Sequence, residues 1–275
     1  MPRSGPISLS LPSFSGATRG IIVANLAVFF ALALMNWLTP GLAQVLLRHS
    51  LLRPLAVTHG EIWQLFTYSF INDGVLNIAF AMLTLWFIGY LLEEARGTRW
   101  LWELYAASAI GGGVIASAIA YTRVLGLRPE AVGSGAWGGI SGLMIAVAML
   151  FGDQEFYLWF VLRIKAKYMV AIFILVALAL FLKESDTFGA LLELAGALSG
   201  FLFTKFAPSR GMAFGASEQY FSVRNGYYRW KRRRAARKFE VYMRKQNRVV
   251  HFDNEGRYID PDEERKSPKD RRWMN

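Results

Sequence analysis

Cysteine is missing from all 275 residues. Its absence excludes disulfides, a thiolate nucleophile and cysteine-held metal sites. Histidine is nearly missing: His49, His59 and His251 are the whole supply, and none lies in an apolar run. No imidazole is therefore available inside a membrane-spanning segment as base or ligand. Negative charge is scarce where the chain turns basic. From Lys205 to the end, 19 Lys and Arg stand against 9 Asp and Glu, a surplus that nearly accounts for the whole net charge of +11.

Apolar surface is abundant: hydrophobic residues make up 54% of the chain, with 20 Phe and 9 Trp, and mean hydropathy is positive. That composition points to a bilayer. A hydrocarbon core of roughly 30 Å needs about 20 helical residues per crossing. Six apolar runs approach this, namely Gly20 to Leu38, Leu76 to Leu92, Leu101 to Tyr121, Trp137 to Phe151, Tyr168 to Leu182 and Phe188 to Phe206. The fourth and fifth are short. A short apolar helix is tolerated where other helices, not lipid, surround it, so the fourth is expected at the centre of the bundle. The first run is too long for a secretory leader and no small-x-small cleavage site follows Trp37, so it reads as a retained span.

Three segments follow: a Ser/Gly/Pro-rich, flexible cytoplasmic N-terminus over 1–19, a membrane domain over 20–207 and a basic cytoplasmic tail over 208–275. Positive residues collect on the cytoplasmic side. The cluster "WKRRRAARK" (Trp230 to Lys238) puts the C-terminus there, six spans bring the N-terminus to the same side, and "RIKAK" (Arg163 to Lys167) falls inside as a loop. The stretch Thr39 to Phe70 reads as an interfacial insert on the opposite side, with Trp63, Phe66 and Tyr68 suited to headgroup level. In the tail, Glu218 to Gln246 reads as a basic helix, and "RVVHFDNEGRYI" as a small hairpin turning at Asp253 to Gly256.

Gly138 and Gly142 on the fourth span, and Gly196 and Gly200 on the sixth, are each four apart. They share a helix face and permit close backbone approach. Beside them lie Trp137 and Glu193, and within the first seam lies the tetrapeptide GISG with Ser141.

"GEIWQLFTYSFINDGVLNIAFAMLTLWFIGYLLE" (Gly60 to Glu93), "GAWGGISGLMIAVAMLF", "IKAKYMV" and "LELAGALSGFLF" resemble the first loop and the second, fourth, fifth and sixth spans of rhomboid intramembrane serine proteases. The resemblance covers about residues 20–207. It implies an all-α membrane protein, a rhomboid-like bundle of six transmembrane helices with a short central fourth helix, in a membrane such as the bacterial inner membrane. The family uses a Ser–His dyad between the fourth and sixth spans and an H-x-x-x-N pair on the second. Here Trp137 stands at the serine position and Glu193 at the histidine position, while Asn77 and Ala81 stand at the second-span pair.

Taking Ser141 as nucleophile instead would shift the fourth span by one turn and break the match of "MLFGD" to the span end. A serine hydroxyl also needs a base, and a carboxyl in a dry bundle is a feeble one. The register therefore favours Trp137, whose indole fills the space a cleft would occupy. Glu193, Trp137 and Asn77 are expected to converge in a small polar knot, with Glu193 bonded to at least one of the other two.

His59 and Glu61, two apart with no further ligands, read as interfacial polar residues and not as a metal site. Nothing calls for a cofactor. The reading is a rhomboid-like protein without the protease dyad. By analogy with inactive relatives such as the iRhoms and Derlins, its partners would be the lipid bilayer and transmembrane segments of client proteins. The alternative is an active intramembrane serine endopeptidase using Ser141. The basic cluster Arg232, Arg233, Arg234, Arg237 and Lys238 is assigned to anionic lipid headgroups in preference to nucleic acid, because it follows a span.

Overall fold

The structure, a computed structural model, describes residues 14–123, 126–158, 162–183, 187–207, 212–245, 250–252 and 258–259. The chain forms two units, one up to Met212 and one from Ala213.

Each of the six apolar runs is a helix of the first unit. Four are long enough to cross a bilayer: α1 (Gly16–Leu38), α5 (Val75–Arg96), α6 (Thr98–Thr122) and α9 (Thr187–Phe206). The two short ones are α7 (Trp137–Phe151) and α8 (Ala166–Leu182). At about 1.5 Å per residue, the 15 residues of α7 rise only about 22 Å. It is accommodated as expected, because α5, α6, α8 and α9 all pack around it and most of its residues are buried. An all-α membrane bundle with a short central fourth helix is the result.

Residues 16–19, expected in the flexible N-terminus, are instead the first turn of α1, where Ala17 and Thr18 are buried. The reason lies far along the chain. Ser15 makes no side-chain cap. The carboxylate of Glu93 near the end of α5 accepts from the backbone N–H groups of Ala17 (2.7 Å) and Thr18 (3.0 Å), and from the Thr18 hydroxyl (2.8 Å). Helix N-termini leave such donors unpaired, and a negative charge suits them. Thr98 completes the clamp with a 2.6 Å bond to the same carboxylate. Between Glu93 and Thr98, Gly97 turns the chain from α5 into α6 at φ +89°, a conformation that favours glycine.

The insert between α1 and α5 folds as α2 (Pro40–Ser50), α3 (Pro54–Thr58), α4 (Gln64–Thr67) and a 3₁₀ turn over Tyr68–Phe70. Proline opens both α2 and α3, where its missing N–H costs no helical bond. Trp63 is exposed, in keeping with a headgroup position, and Phe66 is half-buried. Tyr68 corrects the expectation: its ring is fully buried and its hydroxyl donates to the carbonyl of Ala109 on α6 (2.9 Å). It is a core residue that anchors the insert to the bundle.

Between α7 and α8 the chain is not a plain loop. Strand β1 (Glu155–Leu158) pairs antiparallel with β2 (Leu162–Lys165), Glu155 opposite Lys165. Lys167 Nζ donates to Asp153 Oδ1 at 2.7 Å just beyond the ladder.

The long helix α10 (Met212–Lys245), all but its first residue in the second unit, takes in the expected basic helix from Glu218 to Lys245, and Gln246 lies outside the described residues. Beyond it β3 (His251–Phe252) pairs antiparallel with β4 (Tyr258–Ile259). This is the expected hairpin, and its turn lies outside the described residues. Phe252 meets Phe239 of α10 edge to face at 6.2 Å.

Candidate functional site

The site is built around the opening of α7. Gly135, at φ +101°, leads the chain into the helix, and its N–H donates to the carbonyl of Tyr68 (3.1 Å). The next N–H, that of Ala136, donates to Asn72 Oδ1 (3.0 Å). The amide of Asn72 in turn donates to Asn25 Oδ1 on α1 (2.8 Å), and Asn25 donates back to the Ile21 carbonyl (2.9 Å). Both asparagines are buried. Every polar end of this chain is paired, which is what burial demands. The mouth of α7 is thereby tied to α1 and to the insert.

Asn25 and Asn72 were not singled out from the sequence. The signal was present in one case, since Asn25 is a lone amide in the run "GIIVANLAVFF", and polar side chains inside spans are retained for partners.

Trp137 is the first residue of α7 and half-buried. Its indole Nε1 donates to Asn77 Oδ1 on α5 at 2.6 Å. Its ring stacks on Phe173 of α8, with centroids 5.8 Å apart and planes inclined by 27°. One side chain thus spans from α5 to α8 across the end of α7. The indole has a single N–H, and Asn77 has engaged it. Of the two donors expected for Glu193, the Asn77 amide is the one left.

Ser141 lies one turn further along α7 and has no exposed surface. Its hydroxyl oxygen is 2.7 Å from the carbonyl of Glu193 and 3.0 Å from that of Gly138. Both partners are acceptors, so the hydroxyl proton is committed to the backbone. A backbone carbonyl is far too weak a base to take that proton, and no histidine occurs in any of the six apolar helices. Glu193 itself is half-buried on α9. Ala81, one turn beyond Asn77 on α5, is fully buried in the core and offers only a methyl group.

The two glycine seams face each other. A methyl group added at Gly196 would run into the carbonyl oxygen of Gly138, and one at Gly200 into the backbone of Gly142. The backbones of α7 and α9 are in direct contact along this line, which brings Ser141 within reach of the Glu193 carbonyl. Ser108 of α6 occupies the space beside Gly142.

His59 and Glu61 do not meet. His59 Nδ1 lies 2.7 Å from the Leu55 carbonyl, whereas Glu61 pairs with His49 (3.1 Å) and accepts from Gln64 (2.6 Å). In the second unit, Arg232, Arg233, Arg234, Arg237 and Lys238 are all exposed on α10. Arg232 borders a groove shared with Phe252 of the hairpin.

The family model described as the Rhomboid domain matches residues 59–210, more than half of the chain. Two curated relatives are similar over shorter stretches. Rhomboid-like protein 16, chloroplastic, of Arabidopsis thaliana is 28% identical over 119 residues, 43% of this chain. Rhomboid protease GluP of Bacillus subtilis (strain 168) is 30% identical over 93 residues, 34% of this chain. The alignments span 35% and 17% of the lengths of those two proteins.

Proposed function

We propose that this chain, which belongs to the rhomboid family and is an integral membrane protein, is a pseudoprotease. In this reading it binds transmembrane segments of client proteins and affects their trafficking or degradation. The observation that carries it is the occupant of the α7 mouth: the residue that the resemblance aligns with the family's nucleophile is an indole, bonded to Asn77. Supporting it, the neighbouring serine is buried with its proton on backbone carbonyls, and the spans contain no imidazole. Acyl transfer needs a nucleophile, a base and an oxyanion site open to one another. Client binding needs only the scaffold.

The reading places the protein in a plasma membrane such as the bacterial inner membrane, with both termini cytoplasmic and the basic tail against anionic lipid. The test of activity is labelling of the detergent-solubilised protein by a fluorophosphonate, together with cleavage of a generic rhomboid transmembrane substrate. Neither is expected. Robust turnover abolished by Ser141→Ala would overturn the reading and establish the alternative, an intramembrane serine endopeptidase using Ser141. Crosslinking in the native membrane, followed by identification of the captured spans, tests client binding.

A further inference from the structure

One side of α10 is occupied by the hairpin. Ala235, Ala236, Phe239 and Met243, at helical spacing, line the groove with Phe252, and Ala236 is the buried residue among them. At 100° per residue, the opposite side of the helix carries Tyr227, Trp230, Arg234, Arg237, Val241 and Arg244. All six are exposed. No acidic residue occupies any of these positions. The aromatic members are already arrayed along the helix: Tyr227 and Trp230 lie 6.1 Å apart with planes inclined by 30°, and the Arg234 guanidinium lies 5.5 Å from the Trp230 ring centroid.

We infer that this face, and not the whole basic cluster, is the membrane-contacting surface of the tail. α10 lies along the bilayer with Tyr227, Trp230 and Val241 at headgroup depth and Arg234, Arg237 and Arg244 on anionic phosphates, while Arg232 belongs to the hairpin side. Tyrosine and tryptophan have an apolar body and a polar edge suited to the headgroup layer, and arginine binds phosphate through its fork of donors. Lipid is favoured over nucleic acid by the covalent chain. Five residues, 207–211, connect the last apolar helix to α10, a tether that reaches about 20 Å at full extension. The start of α10 therefore meets headgroups at high local concentration whatever else is present. The inference rests on the reading of the tail as lipid-bound and adds to it an orientation. It is independent of whether the membrane unit cleaves anything.

The cysteine-free sequence permits a direct test. Full-length protein carrying Val241→Cys or Ala235→Cys is labelled with a fluorophore and placed in nanodiscs. The lipid is phosphatidylcholine alone or an equal mixture with phosphatidylglycerol, each with a headgroup-level quencher lipid. In the mixture the Val241 label is expected to be quenched several-fold more than the Ala235 label. The excess should disappear in phosphatidylcholine alone, in high salt, and in the Arg234→Glu/Arg237→Glu variant. Salt screens the wild-type tail without altering its sequence, so loss of folding in the charge variant would not imitate the result.

Equal, phosphatidylglycerol-dependent quenching at both positions would overturn the orientation while leaving lipid binding standing. Quenching indifferent to phosphatidylglycerol would overturn both. Release of the Val241 label from the mixed bilayer by a single-stranded oligonucleotide, with the oligonucleotide retained on the protein, would reassign the face to nucleic acid.

Discussion

The indole nitrogen of Trp137 lies 2.6 Å from Oδ1 of Asn77, joining the mouth of α7 to α5. Trp137→Phe keeps an aromatic ring against Phe173 but removes the donor, leaving a half-buried carbonyl oxygen unpaired. A loss of about 1–3 kcal/mol is expected for a group abandoned in this way. Asn77→Ala should cost a similar amount, and the double variant less than the sum, because both single changes break the same bond. Thermal unfolding in detergent, arranged as a double-mutant cycle, measures the coupling.

For Glu193 the proposed partner is the Asn77 amide. Glu193→Gln, which can keep most of these hydrogen bonds, should be nearly silent, and Glu193→Leu should cost about 1–3 kcal/mol for each donor left unpaired. A leucine variant as stable as the parent would remove Glu193 from the knot.

Gly196→Ala and Gly200→Ala should each destabilise the bundle by about 1–3 kcal/mol, the usual cost of forcing atoms into a packed contact. In both cases the obstacle is backbone of α7, not a side chain that can swing away. Gly41→Ala is the matched control. It lies in α2 with open space around the added methyl group and should raise stability by up to about 1 kcal/mol through helix propensity. Comparison of the three midpoints in one detergent decides the matter.

Glu93→Ala should fray the start of α1. The amides of Ala17 and Thr18 would lose their acceptor, and hydrogen exchange over residues 16–20 is expected to accelerate while the interior of α7 stays protected. Uniform acceleration throughout the bundle would indicate a general loss of stability and not a lost cap.

Asp153 supplies a pH test outside the spans. Its hydrogen bond with Lys167, and the positive charges of Lys167 and Lys165, hold its carboxyl below the usual carboxylate value. A depressed folded-state pKa contributes stability above the unfolded value of about 3.9, and the contribution is lost as pH falls through the folded value. Because Asp153 is well exposed, the effect on stability should be small and erased by salt. Lys167→Met should move the Asp153 titration midpoint upward, as followed by carboxyl-carbon NMR.

The six helices were legible because burial in lipid is a property of composition: an apolar run of sufficient length can satisfy its backbone only as a helix, whatever lies beside it. α7 coincides with the expected run from Trp137 to Phe151 for that reason. The glycine pairs were legible as seams, since four-residue spacing fixes a shared face. The tail hairpin was legible from its alternating residues and turn signal.

Tertiary structure alone decided which partner each group found. That the two glycine seams meet each other, that Glu93 caps a helix beginning 77 positions earlier at Gly16, that Asn72 reaches Asn25, and that Tyr68 turns into the core are choices between distant segments. So is the commitment of the Trp137 indole to Asn77. A donor or acceptor in a sequence declares only that it must be paired once buried; which group pairs it depends on how whole helices pack, and local pattern does not encode that.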